Sequence, residues 1–145
     1  MTNEDVFYLG IKTIVVNSEG KILLLLRSPS GANGSTLWDI PGGRKRREEG
    51  IAEALKRELY EETGLQIDDR EVQFVGANLS SSRISAGEID AGLVLFVYKC
   101  KWDRIPKVRL SPEHCDFWWA TPEEASEALQ SSHIPPSFIL AKEVR

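Results

Sequence analysis

Ile51-Ala52-Glu53-Ala54-Leu55-Lys56-Arg57-Glu58-Leu59-Tyr60-Glu61-Glu62-Thr63-Gly64 is the stretch that decides how this chain is read. Strong helix formers run through it, and a glycine suited to the left-handed C′ position ends it, which predicts a helix over Ile51–Thr63. At about 100° per residue, Ile51, Ala54, Leu55 and Leu59 form an apolar stripe. Glu58 and Glu62 fall within about 20° of Ile51, inside that stripe, and Glu61 lies at its edge. Glu53, Lys56, Arg57 and Tyr60 take the opposite side, where an ordinary amphipathic helix would carry its acids.

Carboxylates at a helix end often reach solvent past the core, but Glu58 is mid-helix and three acids fall within one turn. Turned inward, they repel one another and lose hydration. A positive partner should offset that. Hard divalent cations take oxygen ligands, so Mg²⁺, with Mn²⁺ as the alternative, is the expected cofactor. The chain has 2 histidines, His114 and His133, so a histidine-based zinc site is not expected.

Outward from the helix, Val6–Val16 and Lys21–Arg27 read as strands joined by an Asn17–Gly20 turn. Leu23–Leu26 are all leucine, which predicts a strand covered on both faces. Ser28–Thr36 reads as a loop. Leu37–Ile40 reads as a short extended piece broken by Pro41-Gly42-Gly43, and Arg44–Gly50 as a charged loop. Val72–Leu79 and Gly92–Lys101 are further expected strands, with a flexible loop over Ser80–Glu88. Asp116–Ala120 reads as a short strand. Thr121-Pro122-Glu123-Glu124 supplies an N-cap, a proline at N1 and first-turn acids, so a helix is expected to about Gln130. A last helical segment is expected over Ser137–Val144. Strands outnumber helices and loops separate them, which predicts an α+β fold.

The chain has 145 residues, which fits a single domain over 1–145, and 41% hydrophobic residues, enough for a core. A net charge of -4 argues against a nucleic-acid-binding surface. It does not exclude a phosphate ligand, because a bound cation reverses the local field. Cys100 and Cys115 are too few for a disulfide framework or thiolate zinc site. No signal peptide and no membrane-length apolar run is visible, so a cytoplasmic protein without a membrane partner is expected.

The stretch Gly43–Leu65 resembles the Nudix box, G-x5-E-x7-R-E-U-x-E-E-x-G-U with U a bulky aliphatic. Gly43, Glu49, Arg57, Glu58, Leu59, Glu61, Glu62, Gly64 and Leu65 meet the constrained positions. A chance match in a chain of this length is on the order of one in ten million at average residue usage. Leu37–Gly42 resembles the family's W-x-x-P-G-G lead-in, Leu23–Arg27 its L-L-x-x-R strand, and Trp119–Ala125 its strand-to-helix turn. One departure is Glu48, where many members carry glycine, in the run Arg44-Lys45-Arg46-Arg47-Glu48-Glu49. That run is either a phosphate-greeting surface or a solvated loop.

The resemblance to this MutT-like hydrolase family implies an α/β/α sandwich with a mixed sheet and a loop–helix–loop catalytic motif. It also implies hydrolysis of a diphosphate linkage in a nucleoside diphosphate derivative by an activated water. Glu58, Glu61 and Glu62 are the expected metal ligands, and Gly43 lets the backbone approach the metal. Arg57 is expected to orient a carboxylate, with Glu53 and Glu61 as its helical neighbours. The box leaves the general base open between its own glutamates and an acid from a distant loop. Glu113 is preferred there over Glu88 or Asp90. Arg27 is either a substrate ligand or a solvated strand end. Trp38, Trp118 and Trp119 are core candidates, and one of them, or Phe7 or Tyr8, could stack on a base; Trp38 is carried as the binding candidate. Nucleoside triphosphates are the leading substrates, with ADP-ribose or a nucleotide sugar as one alternative and a non-catalytic nucleotide sensor as another. A homodimer is possible by resemblance.

Overall fold

The structure is a computed structural model and describes residues 3–29, 37–67 and 71–140. In chain order the elements are β1 (Phe7–Val16), β2 (Ile22–Arg27), β3 (Trp38–Asp39), β4 (Gly42–Arg44), α1 (Ile51–Thr63), β5 (Val72–Leu79), β6 (Ile84–Ala86), β7 (Ile89–Lys101), β8 (His114–Ala120), α2 (Pro122–Ala128) and α3 (Pro136–Leu140). The sheet is mixed: β1 runs parallel to β7, while β5 with β7 and β8 with β2 are antiparallel.

Helices cover both faces, as the alternating burial of the strands requires. Val15, Leu23, Leu25 and Cys100 pack with Leu59 of α1 on one side. Ile14, Leu24, Leu95 and Val97 pack with Ala125, Leu129 and Ile139 on the other. β2 is therefore covered on both faces, as its leucine run predicts. This is the α/β/α sandwich expected from the sequence.

The feature that positions the site is the splaying of β1 and β2. They pair only at Val16↔Ile22, next to the Asn17–Gly20 turn. Beyond it they diverge, and β3 and β4 enter the gap, β3 against β2 and β4 against β1. The expected break falls at Ile40 and Pro41, between β3 and β4; Gly42 and Gly43 then pair with β1, opposite Lys12 and Ile11. A Cβ on Gly42, whose φ is 155°, would strike the Ile11 carbonyl oxygen. Glycine lets the two backbones close here.

Two further departures concern strands. The expected loop Ser80–Glu88 contains β6, which forms a hairpin with β7 through Gly87 (φ 63°). Its ladder pairs Ser85 with Asp90, and Arg83 holds Asp90 at 3.1 Å and Asp5 at 2.6 Å. β7 thus begins at Ile89 rather than Gly92, and β8 begins at His114 rather than Asp116. α1 has the expected bounds, with Gly64 at φ 74° donating its N–H to the Tyr60 carbonyl. α2 ends at Ala128, before the expected Gln130, and is capped reciprocally by Thr121 and Glu124. Most of the Ser28–Thr36 loop and the tail of the last helix lie outside the described residues.

Candidate active site

The carboxylates of α1 face the wedge between β1 and β2. Glu58, Glu61 and Glu62 share a cleft of about 400 Å³ with Arg27, Gly42, Gly43, Ser111 and Glu113. The cleft is also lined by Arg44, Arg46 and Arg57. The metal-site candidates and the distant-loop acid Glu113 are thus brought together from α1, β4 and the turn before β8.

The three helix glutamates differ in setting. Glu62 is 6% exposed. Burial pushes its carboxyl up to about 7, against a lowering contribution from the Gly42 N–H, which donates to Oε1 at 2.7 Å. Glu58 is half-buried, and its carboxylate lies directly over Gly43: a Cβ there would sit 2.5 Å from Cδ. Only glycine leaves room for this carboxylate. Glu61 is exposed at the cleft rim. The helical wheel, which puts Glu62 inside the stripe and Glu61 at its edge, matches this order of burial.

Arg57 ties the loop to the helix. Its Nε and one terminal nitrogen donate to the two Glu49 oxygens at 2.9 and 2.7 Å. The other terminal nitrogen donates to Glu58 at 2.8 Å and makes a longer contact of 3.4 Å to Glu61. Glu49 in turn accepts the Arg46 N–H at 2.7 Å. The paired guanidinium lowers the Glu49 carboxyl to about 2, with the Arg46 bond second. Of the two helical neighbours, Glu61 is in contact with Arg57, but the forked pairing is with Glu49, eight residues back. A contact between a loop and a helix is not readable from helical spacing. The replacement of glycine by Glu48 leaves this geometry intact, since Glu48 itself is exposed.

His114 is the residue that sequence reasoning missed. It is 7% exposed, and its Nε2 lies 3.4 Å from Glu62 Oε2. Its Nδ1 is buried without a hydrogen-bond partner among the described residues, as is Ser111 Oγ. Burial, then the charge of Arg27, holds its pKa below the ordinary histidine value. A shift in strand register explains why the pattern hid it. Leu25 pairs with Phe117 and Leu26 with Asp116, but Arg27 pairs with His114. Cys115 is the extra residue of a bulge, and it turns His114 to the Phe117 and Trp119 face of the strand, towards α1. Strict alternation would have put Cys115 there.

A second cleft adjoins the first at Arg27. Leu37, Trp38, Leu93, Leu95 and Ile134 line it on its apolar side, Ser131, Ser132 and His133 also line it, and so do Lys12 and Asp39, paired at 2.8 Å. Trp38 meets Trp118 edge-on at 5.6 Å between ring centroids, so its core role and its cleft-lining role coexist. Glu88 and Asp90 are on the β6–β7 hairpin and do not line the acidic cleft; Asp90 is held by Arg83. Phe7 packs on Gly92, and Tyr8 lies under Arg44, 5.0 Å from ring centroid to guanidinium. Neither lines the Trp38 cleft.

The residues suit a divalent cation. A buried carboxylate, Glu62, stands beside Glu58 and Glu113 with Lys12 as the cation acting on it, Lys12 being already paired with Asp39, and a glycine leaves space for Glu58. The donors are oxygen-rich, as Mg²⁺ and Mn²⁺ require.

The family model described as the NUDIX domain matches residues 7–139. A MutT-like protein of Streptomyces ambofaciens is 27% identical over 128 residues, covering 88% of this chain and 73% of that protein. The solution structure of the E. coli ORF135 protein superposes with a TM-score of 0.71 at 24% identity, covering 95% of this chain and 90% of that one. The E. coli dihydroneopterin triphosphate pyrophosphohydrolase superposes with a TM-score of 0.70 at 14% identity, covering 92% and 94%.

Proposed function

From the premise that this chain belongs to the NUDIX domain family and is a Nudix hydrolase acting on nucleoside diphosphate derivatives, we propose that it is a Mg²⁺- or Mn²⁺-dependent pyrophosphohydrolase of nucleoside triphosphates. Glu58, Glu61 and Glu62 hold the metal, with the Gly43 backbone beside them. The observation that carries this reading is Glu62: a carboxylate 6% exposed, whose charged neighbours are Lys12, itself paired with Asp39, and the acids Glu58 and Glu113. Such a group is costly in a fold unless it has work that needs its charge.

A bound divalent cation supplies charge neutralisation of the diphosphate and lowers the pKa of a water. The protein's own residues do the rest. Gly42 N–H fixes Oε1 of Glu62, while Oε2 faces His114 Nε2 at 3.4 Å. Arg57 locks Glu58 against Gly43, acting as a positioning residue. Glu113, exposed at the cleft mouth, accepts the proton of the attacking water. Arg27, shared by both clefts, takes a substrate phosphate, and the Trp38 cleft takes the organic group. The basic residues Arg44 and Arg46 line the phosphate end. We place the whole activity in the single domain 1–145, in the cytoplasm, without a nucleic-acid or membrane partner; a homodimer is compatible with this reading.

The test is a panel of nucleoside triphosphates, ADP-ribose, nucleotide sugars and dinucleoside polyphosphates with Mg²⁺ or Mn²⁺, scored by kcat/KM with products identified. Preference for triphosphates with release of pyrophosphate is the expected result. Preference for ADP-ribose or a nucleotide sugar reassigns the substrate. Binding without turnover across the panel overturns the proposal in favour of a sensing role.

A further inference from the structure

We propose that His114 is itself a metal ligand, so that Glu62, Glu113 and His114 form a mixed oxygen–nitrogen subsite favouring a first-row transition ion such as Mn²⁺ over Mg²⁺. The inference rests on reading the cleft as a divalent-cation site and goes beyond the helix glutamates. One donor atom from each of the three residues lies within 4.8 Å of the other two. The separation of 3.4 Å between His114 Nε2 and Glu62 Oε2 is long for a hydrogen bond. It falls between the roughly 3.0 and 4.2 Å that separate cis and trans ligands at bonds of about 2.1 Å.

The surroundings agree. The imidazole is 7% exposed, and the nitrogen that faces Glu62 is Nε2, so the donor pair is screened from solvent. The strand bulge at Cys115 is what turns this ring towards α1. A bulge that re-aims a side chain is a common device beside active sites. The charged groups around the ring are Glu62 from α1, Glu113 from its own turn, Arg27 and Lys12 from the facing strands, and Asp39 from β3. Imidazole adds little for Mg²⁺ but strengthens binding of transition ions, whose affinity rises along the series from Mn²⁺. The cation at this position is therefore selected by nitrogen as well as by charge.

The experiment is pulsed electron paramagnetic resonance of the full chain with Mn²⁺. Binding itself is followed by loss of the free-ion signal. Directly coordinated imidazole gives a ¹⁴N modulation, which changes on ¹⁵N-histidine labelling of the unmodified protein. The expected result is that modulation in the parent chain and in His133→Gln, and its loss in His114→Gln. In His114→Gln, affinity for Mn²⁺ should fall at least about tenfold while affinity for Mg²⁺ changes little. Mn²⁺ bound with no nitrogen modulation in the unmodified chain overturns the inference and leaves the carboxylate site standing. No Mn²⁺ bound at all overturns both. Modulation that persists in folded His114→Gln but is lost in His133→Gln assigns the nitrogen elsewhere and also overturns it.

Discussion

Gly43 lies against the Glu58 carboxylate so closely that a Cβ at position 43 would sit 2.5 Å from both Cδ and Oε1. The glycine is thus a spatial requirement of a side chain on α1, separate from any need for an unusual φ. Gly43→Ala should leave the fold in place and push Glu58 away from its Arg57-held position. A displacement near 1 Å at a reacting centre costs roughly 10²-fold. The expected outcome is a loss of kcat/KM of that order with Tm shifted by only a few degrees. Unchanged kcat/KM would show that Glu58 has no positional role.

Arg57 should act through its two carboxylates. Arg57→Lys keeps the charge but loses the fork that engages both Glu49 oxygens and Glu58. We expect kcat to fall about 10- to 100-fold with KM little changed. Glu49→Gln should produce part of the same loss, and the double variant should be less than additive, because the pair acts as one unit. Additive losses measured in the double variant would separate the two residues.

Glu113 provides a sharper division. If it takes the proton of the attacking water, Glu113→Gln should lower kcat by roughly 10²- to 10⁴-fold at saturating metal and substrate. Full kcat under those conditions would remove it as the base and return the role to the helix glutamates. Because Glu113 is also placed in the His114 subsite, metal affinity must be titrated separately for this variant.

The pH dependence of the metal-free protein follows from Glu62. Its carboxyl is raised from 4.5 to about 7 by burial. The folded state therefore holds the proton more tightly than the unfolded chain. The associated stability is fully present below about pH 4.5 and is lost as pH rises through 7; its size is about 3 kcal/mol on this shift. A divalent cation takes the proton's place, so Mn²⁺ should raise Tm more at pH 8 than at pH 5. In chelator at pH 8, Glu62→Gln should melt several degrees above the parent chain. A metal-induced Tm rise that is equal at both pH values contradicts this account.

The sequence carries the helix and the order of burial of its acids because both follow from local spacing. α1 has the expected bounds, and Glu62 is buried while Glu61 is exposed. The two-faced burial of β2 is likewise written in its four leucines. What the pattern hides is non-local. β4 looks like a loop because its pairing with β1 depends on backbone closeness at two glycines. Glu49 finds Arg57 across a loop, so no i,i+4 rule names it. His114 is obscured by one unpaired residue in a strand whose alternation is otherwise regular.

That single residue has a wider consequence. Were Cys115 accommodated by strict alternation instead of by the bulge, the ring of His114 would fall on the opposite face, in the layer of α2 and α3. The donor set around Glu62 is therefore governed by strand register as well as by composition. Two chains identical throughout the helix would differ in ion preference through one register shift some fifty positions downstream, and comparing their helices would not reveal it.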